Sequence, residues 1–171
     1  MRIFIDADGC PVVDITVRTA AGYGIGCTII CDTSHSIHRE GADTIIVEKG
    51  ADSADMRLVN LLSPGDIAVT QDYGLAAMCL SRGAAVIDQD GRRYTDDNIS
   101  GLLEFRAVSA RIRRGGGRTK GRQKRTPQQD RDFGAALAAL IDSCILSNHR
   151  QEKMNLSGGL TDKKTGTPPE R

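Results

Sequence analysis

Three apolar residues, Ile3, Phe4 and Ile5, run without a break into Asp6-Ala7-Asp8-Gly9-Cys10-Pro11. An apolar run without alternation is buried on both faces, as in a strand of a parallel sheet. Gly9 and Pro11 read as the turn that opens a helix. A strand–turn–helix start of this kind restricts the chain to an α/β fold, where ligands sit just beyond the carboxyl ends of the strands. Asp6 and Asp8 fall at that edge, and strand alternation places them on one side. Two carboxylates about 5 Å apart, at an effective dielectric of about 20, repel by about 3 kcal/mol. A cation, a shared proton or solvent relieves that repulsion. The plainer alternative is a solvated turn in which one Asp caps the helix.

The same grammar repeats along the chain. Val12, Val13, Thr16, Val17, Ala20 and Ala21 recur at helical spacing and stop at Gly22–Gly26. Further strands are expected at Cys27–Cys31, Thr44–Val47, Ile67–Thr70 and Ala84–Ile87. Between them, Asp52–Leu62 and the segment holding Leu75, Ala76, Met78, Cys79 and Leu80 read as helices, and Thr95 caps another through Ile99, Leu102, Leu103 and Phe105. The expectation is a three-layer α/β domain with a mostly parallel, five-stranded sheet and helices on both faces. It spans residues 1–146, and the polar residues 147–171 read as a disordered tail.

Trp is absent and aromatics make up 4% of the chain, so the core must be aliphatic. No apolar run reaches the length of a membrane span, and the Met-Arg start lacks a signal-peptide pattern, so a cytoplasmic protein with no membrane partner is expected. Five scattered cysteines give neither a disulfide framework nor a zinc ribbon.

The net charge of +1 points to no partner, but its distribution does. No acid occurs from Arg106 to Gln129, a stretch that holds Arg111, Arg113, Arg114, Arg118, Lys120, Arg122, Lys124 and Arg125 among Gly115, Gly116, Gly117 and Gly121. Residues 109–126 read as a flexible basic loop, suited to tracking a phosphate backbone by counterion release. Few aromatics lie near it, so base stacking is not expected. Thr126-Pro127-Gln128-Gln129 then spells an N-cap, a first-turn proline and a capping-box glutamine, opening a last helix with Phe133, Leu137, Leu140, Ile141 and Cys144 on one face.

Acids recur at the same kind of place: Asp6 and Asp8 after the first strand, Asp52 and Asp55 at a helix start, Asp72 after the fourth strand, Asp88 and Asp90 after the fifth. Adjacent strand ends lie about 5 Å apart, so several of these acids converge in a parallel sheet. Clustered carboxylates are hard oxygen ligands suited to magnesium or manganese. Such an ion generates a hydroxide nucleophile and stabilises the leaving oxygen of a phosphodiester. His35 and His38 lack the spacing of a helical ligand pair, and Cys10, beside the acids, is disfavoured as a nucleophile by their charge.

The motifs Asp6-Ala-Asp-Gly-Cys-Pro11, Asp52-Ser-Ala-Asp55, Gly65-Asp-Ile-Ala-Val-Thr-Gln-Asp-Tyr-Gly-Leu-Ala76 and Tyr94-Thr-Asp-Asp-Asn-Ile99 resemble those of the bacterial YaiI/YqxD family. The Thr119-Lys-Gly stretch and Asp130-Arg131 fit as well, and the resemblance covers residues 1–146. That family is similar to PIN-like domains, many of which are metal-dependent ribonucleases. The resemblance implies that Asp6, Asp55 and Asp72 hold a magnesium or manganese ion, with Asp8 a further catalytic candidate and Asp90 a poorly matched fourth acid. Thr70 is a candidate to hydrogen-bond one of these acids or a phosphate oxygen, and the partner implied is nucleic acid, RNA above all. Two alternatives stand beside an RNA-directed phosphodiesterase. One is a PIN-like module that binds nucleic acid without cutting it. The other is a haloacid-dehalogenase-like phosphatase, for which Gly65-Asp66 stands before rather than after an apolar strand and Lys49 is the one plausible helper lysine.

Overall fold

Strand β1, Ile3–Asp6, lies inside a six-stranded sheet of order β3-β2-β1-β4-β5-β6. The computed structural model describes residues 1–33, 37–48, 54–114 and 124–158, without the side chains at 106–114, 151, 152 and 155–158. The other strands are β2 (Cys27–Asp32), β3 (Ala42–Val47), β4 (Ile67–Val69), β5 (Ala85–Ile87) and β6 (Arg93–Tyr94). The helices are α1 (Val13–Gly22), α2 (Ala54–Leu61), α3 (Tyr73–Ser81), α4 (Asp96–Arg114) and α5 (Pro127–Gly158).

Strands β1 to β5 run parallel, with Ile5 of β1 opposite Ile29 of β2 on one side and Val69 of β4 on the other. The chain moves outward from β1 through β2 to β3, then returns to lay β4 on the other flank of β1. This reversal makes the β1–β4 boundary a topological switch point, where the connections leave in opposite senses and open a crevice.

Alternation along β1 divides the core. Ile3, Ile5 and Ala7 join Val13, Val17 and Ala20 of α1 and Phe133, Leu137, Leu140 and Ile141 of α5 in one apolar layer. Phe4 faces the opposite way, into a layer with Leu58 and Val59 of α2, Leu75, Ala76 and Cys79 of α3, and Ile99 of α4. The three-layer α/β architecture expected from the sequence is therefore present.

The structure corrects several details. A sixth strand exists: β6 pairs antiparallel with β5, with Val86 opposite Tyr94. Two residues are too few to show a period, so the strand was not readable from the sequence. Helix α1 starts at Val13 with Val12 as its cap, two residues beyond Pro11. Helix α4 runs on through Arg114, so Arg111, Arg113 and Arg114 lie on a helix rather than in the expected loop. Ala and Arg are strong helix formers, and no Gly or Pro occurs between Gly101 and Gly115. Helix α5 likewise continues past residue 147 to Gly158, because the polar segment contains no proline and consists largely of residues that tolerate a helix. Residues 115–123 and 159–171 lie outside the described residues. The capping box at the start of α5 forms as expected: the Thr126 N–H donates to Gln129 Oε1 at 2.9 Å and the Gln129 N–H to Thr126 Oγ1 at 3.3 Å. Among the described residues, no helix is long and apolar enough to cross a membrane.

Candidate active site at the carboxyl edge of the sheet

Asp6 closes β1 at the switch point, on the same strand face as Phe4. Its Oδ2 accepts a hydrogen bond from Thr70 Oγ1 at 2.7 Å. Thr70, one residue past β4, is fully buried, and its N–H donates to the Ile87 carbonyl at 3.2 Å. The same hydroxyl accepts from the Asp72 N–H at 3.0 Å. One threonine thus ties the end of β1 to the chain leaving β4. Asp72 is the N-cap of α3, its Oδ1 accepting from the N–H groups of Gly74 at 2.6 Å and Leu75 at 3.2 Å. Asp55 sits in the first turn of α2, where an acid also complements the helix dipole. Asp8 is exposed in the turn after β1.

These four acids share one electrostatic neighbourhood. Burial pushes the Asp6 carboxyl up to about 6, and the carboxylates of Asp55 and Asp8 push the same way, against the hydrogen bonds from Thr70 and the Asp8 backbone. Asp55 is also raised, by burial first and then by Asp72 and Asp8. Beneath them the Cys79 thiol is pushed up to about 12 by burial, with Asp6 and Asp55 adding to it. Burial likewise takes the Cys10 thiol up to about 11 and keeps it protonated at neutral pH, which argues against a nucleophile there.

Mutual repulsion, partial burial and all-oxygen donors suit a hard divalent cation. Even so, among the described residues no group of three or more His, Cys, Asp or Glu side chains stands in metal-holding geometry. The two facts are compatible for magnesium, which keeps several waters and needs only one or two carboxylates besides the substrate's phosphate oxygens.

Gln71, which the sequence reading passed over, donates from Nε2 to the Gly9 carbonyl at 2.7 Å. It pins the turn carrying Asp8 to the exit from β4. Gly9 has φ +70, a conformation that glycine adopts without strain. Its position between Thr70 and Asp72 was the available signal for Gln71, though an amide side chain alone names no partner.

Other candidates stand elsewhere. Asp88 Oδ1 accepts from the N–H groups of Asp90 and Arg92, both at 2.8 Å, and shapes the turn between β5 and β6. Asp90 is ion-paired with Arg125 at 3.3 Å. All three guanidinium nitrogens of Arg125 donate within the chain, to Asp90, to Asp130 at 2.5 Å and to the Gln129 carbonyl at 2.9 Å. Arg125, expected in a substrate-binding loop, is therefore an anchor for the start of α5, and Lys124 beside it is exposed. Asp66 lies at the amino end of β4, on the opposite edge of the sheet from Asp6. There it accepts the N–H groups of Arg2 at 2.8 Å and Ser63 at 2.9 Å. It has no place beside the acids that a phosphatase would require. Arg118, Lys120, Arg122, Asp52, His35 and Lys49 lie outside the described residues.

Against known proteins, a family model described as "Uncharacterized BCR, YaiI/YqxD family" matches residues 4–143. A "UPF0178 protein" of Exiguobacterium sibiricum is 52% identical over 141 residues, covering 82% of this chain and 96% of its own. A relative of the same name from Ruminiclostridium cellulolyticum is 47% identical, with 82% and 92% covered. One from Clostridium acetobutylicum is 44% identical, with 82% and 97% covered. No solved structure matches the chain.

Proposed function

The chain belongs to the YaiI/YqxD family, and from the acids gathered at its sheet edge we propose that it is a divalent-cation-dependent phosphodiesterase acting on RNA. One observation carries this proposal. Asp6, held by Thr70 at the β1–β4 switch point, sits in the field of Asp8 and Asp55 and keeps its proton up to about pH 6. A protein maintains such a cost at a functional edge when a charged ligand relieves it.

Asp6, Asp55 and Asp72 would hold magnesium or manganese, and Asp8 orients water or meets a second ion. Such an ion lowers the pKa of water and neutralises charge on the transferring phosphoryl oxygens. The chain's own part is positional. Thr70 fixes the Asp6 carboxylate, the α3 cap fixes Asp72, and Gln71 holds the Asp8 turn in place. Cations on α4 and in the stretch beyond it supply long-range attraction for the phosphate backbone. RNA in particular is supported by the resemblance of the family to PIN-like domains.

The test is cleavage of an end-labelled single-stranded RNA with manganese present. Wild type should cut it. Asp6→Asn should slow cutting by about a hundredfold or more, the scale of several kcal/mol of transition-state stabilisation, with RNA binding retained. RNA binding by a wild type that cuts nothing in magnesium or manganese would leave a non-catalytic binding module instead.

A further inference from the structure

The acids stand at the carboxyl edge of the sheet, but the amino edge carries a cleft of about 550 Å³, room for a small molecule. Its floor is apolar. Pro64 leads into β4, Ala84 leads into β5, and Cys144 comes from α5. The turns before the two strands pass through Gly65 at φ +85 and Gly83 at φ +76, conformations that glycine adopts without strain. The rim is polar, with Arg93, Ser143 and Asn148. Arg93 lies in β6 opposite Ile87, on the sheet face that α5 covers. Its guanidinium acts on the Cys144 thiol, in keeping with that place on the rim. Asn148 holds its amide over the Gly65 turn, where a Cβ would lie 2.9 Å from Oδ1.

No carboxylate lines the cleft, and among the described residues no acid pairs with Arg93. Asp66, next to Gly65 in the chain, is turned to the N–H groups of Arg2 and Ser63 instead. Arg93 is exposed, so water solvates its charge in the free protein. A guanidinium fork, an amide and a hydroxyl above an apolar floor are the donors suited to one anionic group on an apolar body.

We propose that this cleft binds a small organic anion. Its phosphate or carboxylate meets the Arg93 guanidinium and the Asn148 amide, and its apolar body rests on Pro64, Ala84 and Cys144. The inference does not depend on the function given above for the acids, which stand at the other edge. Cys144 and Asn148 also lie past residue 143, where the family match ends.

Amide NMR of the full isotope-labelled chain tests this with EDTA present, so that no metal bridges phosphate to the acid edge. Uridine 5′-monophosphate and benzoate are titrated in turn, then their neutral counterparts, uridine and benzamide. At least one anion should move the N–H signals of Gly65, Gly83, Ala84 and Asn148 saturably. The N–H signals of Gly74 and Leu75, bonded to Asp72 at the acid edge, should stay in place. Which anion binds tells whether phosphate or carboxylate is the group held. Its neutral counterpart should bind at least about tenfold more weakly, and Arg93→Gln should weaken the anion by about as much. Ser147→Phe, at an exposed position of α5 on the cleft wall, fills the space at constant charge and should abolish the shifts. Unchanged dispersion of the remaining signals shows that each variant folds. Three results overturn the site. One is no saturable shift at these amides with either anion. The others are a neutral counterpart, or the Arg93→Gln variant, binding within about twofold of the anion on wild type.

Discussion

Asp6 holds its proton more tightly than a free aspartate, and that sets a measurable pH dependence. Its carboxyl titrates near 3.8 when unfolded and at about 6 in the folded chain. Between those values the folded state binds more protons, so the group's favourable contribution is complete below the lower value and lost as pH rises through the upper one. A shift of about two units corresponds to at most roughly 3 kcal/mol, and partial exposure reduces it. Asp55 and Asp88 are raised in the same direction by burial. Asn at position 6 keeps an acceptor for Thr70 and carries no charge. Asp6→Asn should therefore stabilise the metal-free chain by about 2 kcal/mol near pH 7 and leave it little changed near pH 4. Urea unfolding at the two pH values checks this, and equal destabilisation at both would show that Asp6 is not strained by its charge. At this scale Asp6, Asp72 and Thr70 were legible, because strand alternation and the Thr-x-Asp spacing follow from local backbone geometry. The Gln71–Gly9 bond was not, since it joins segments that only the tertiary fold brings together.

Among the elements, those with a chemical start signal were read best. Thr126 and Gln129 named the first turn of α5 because each satisfies the other's backbone N–H. The end of α4 was misread because a run of arginines was taken for a solvated loop, whereas helix propensity depends on stem and backbone rather than on charge. Strand β6 depends on the turn before it. Gly91 has φ +84, and a Cβ there would lie 2.9 Å from Ala136 Cβ of α5. Gly91→Ala therefore adds backbone strain to a steric clash and should cost about 2 kcal/mol, read as a lowered urea midpoint. An unchanged midpoint would mean that the β5–β6 turn does not bear on α5.

Across the whole molecule, the apolar runs made the parallel sheet legible, but not its strand order. The return of β4 to the flank of β1 follows from crossover connections that no periodicity encodes, and it is this return that sets Asp6 beside Thr70 and Asp72. Along the sequence the cations are concentrated too, with no acid from Arg106 to Gln129. If four of those cations meet a single strand, log affinity against log salt should slope by about −3. Fluorescence anisotropy with labelled RNA over a sodium chloride series measures it, and a slope near zero would leave the cations without a phosphate partner. The central claim, that acids from three separate segments share one cation, is tested most directly by calorimetric titration of manganese into wild type and Asp72→Asn. Asparagine caps a helix as well as aspartate does, so α3 stays in place. The account predicts a saturable heat in wild type that is weakened at least about tenfold in the variant; equal heats and affinities in the two proteins would contradict it.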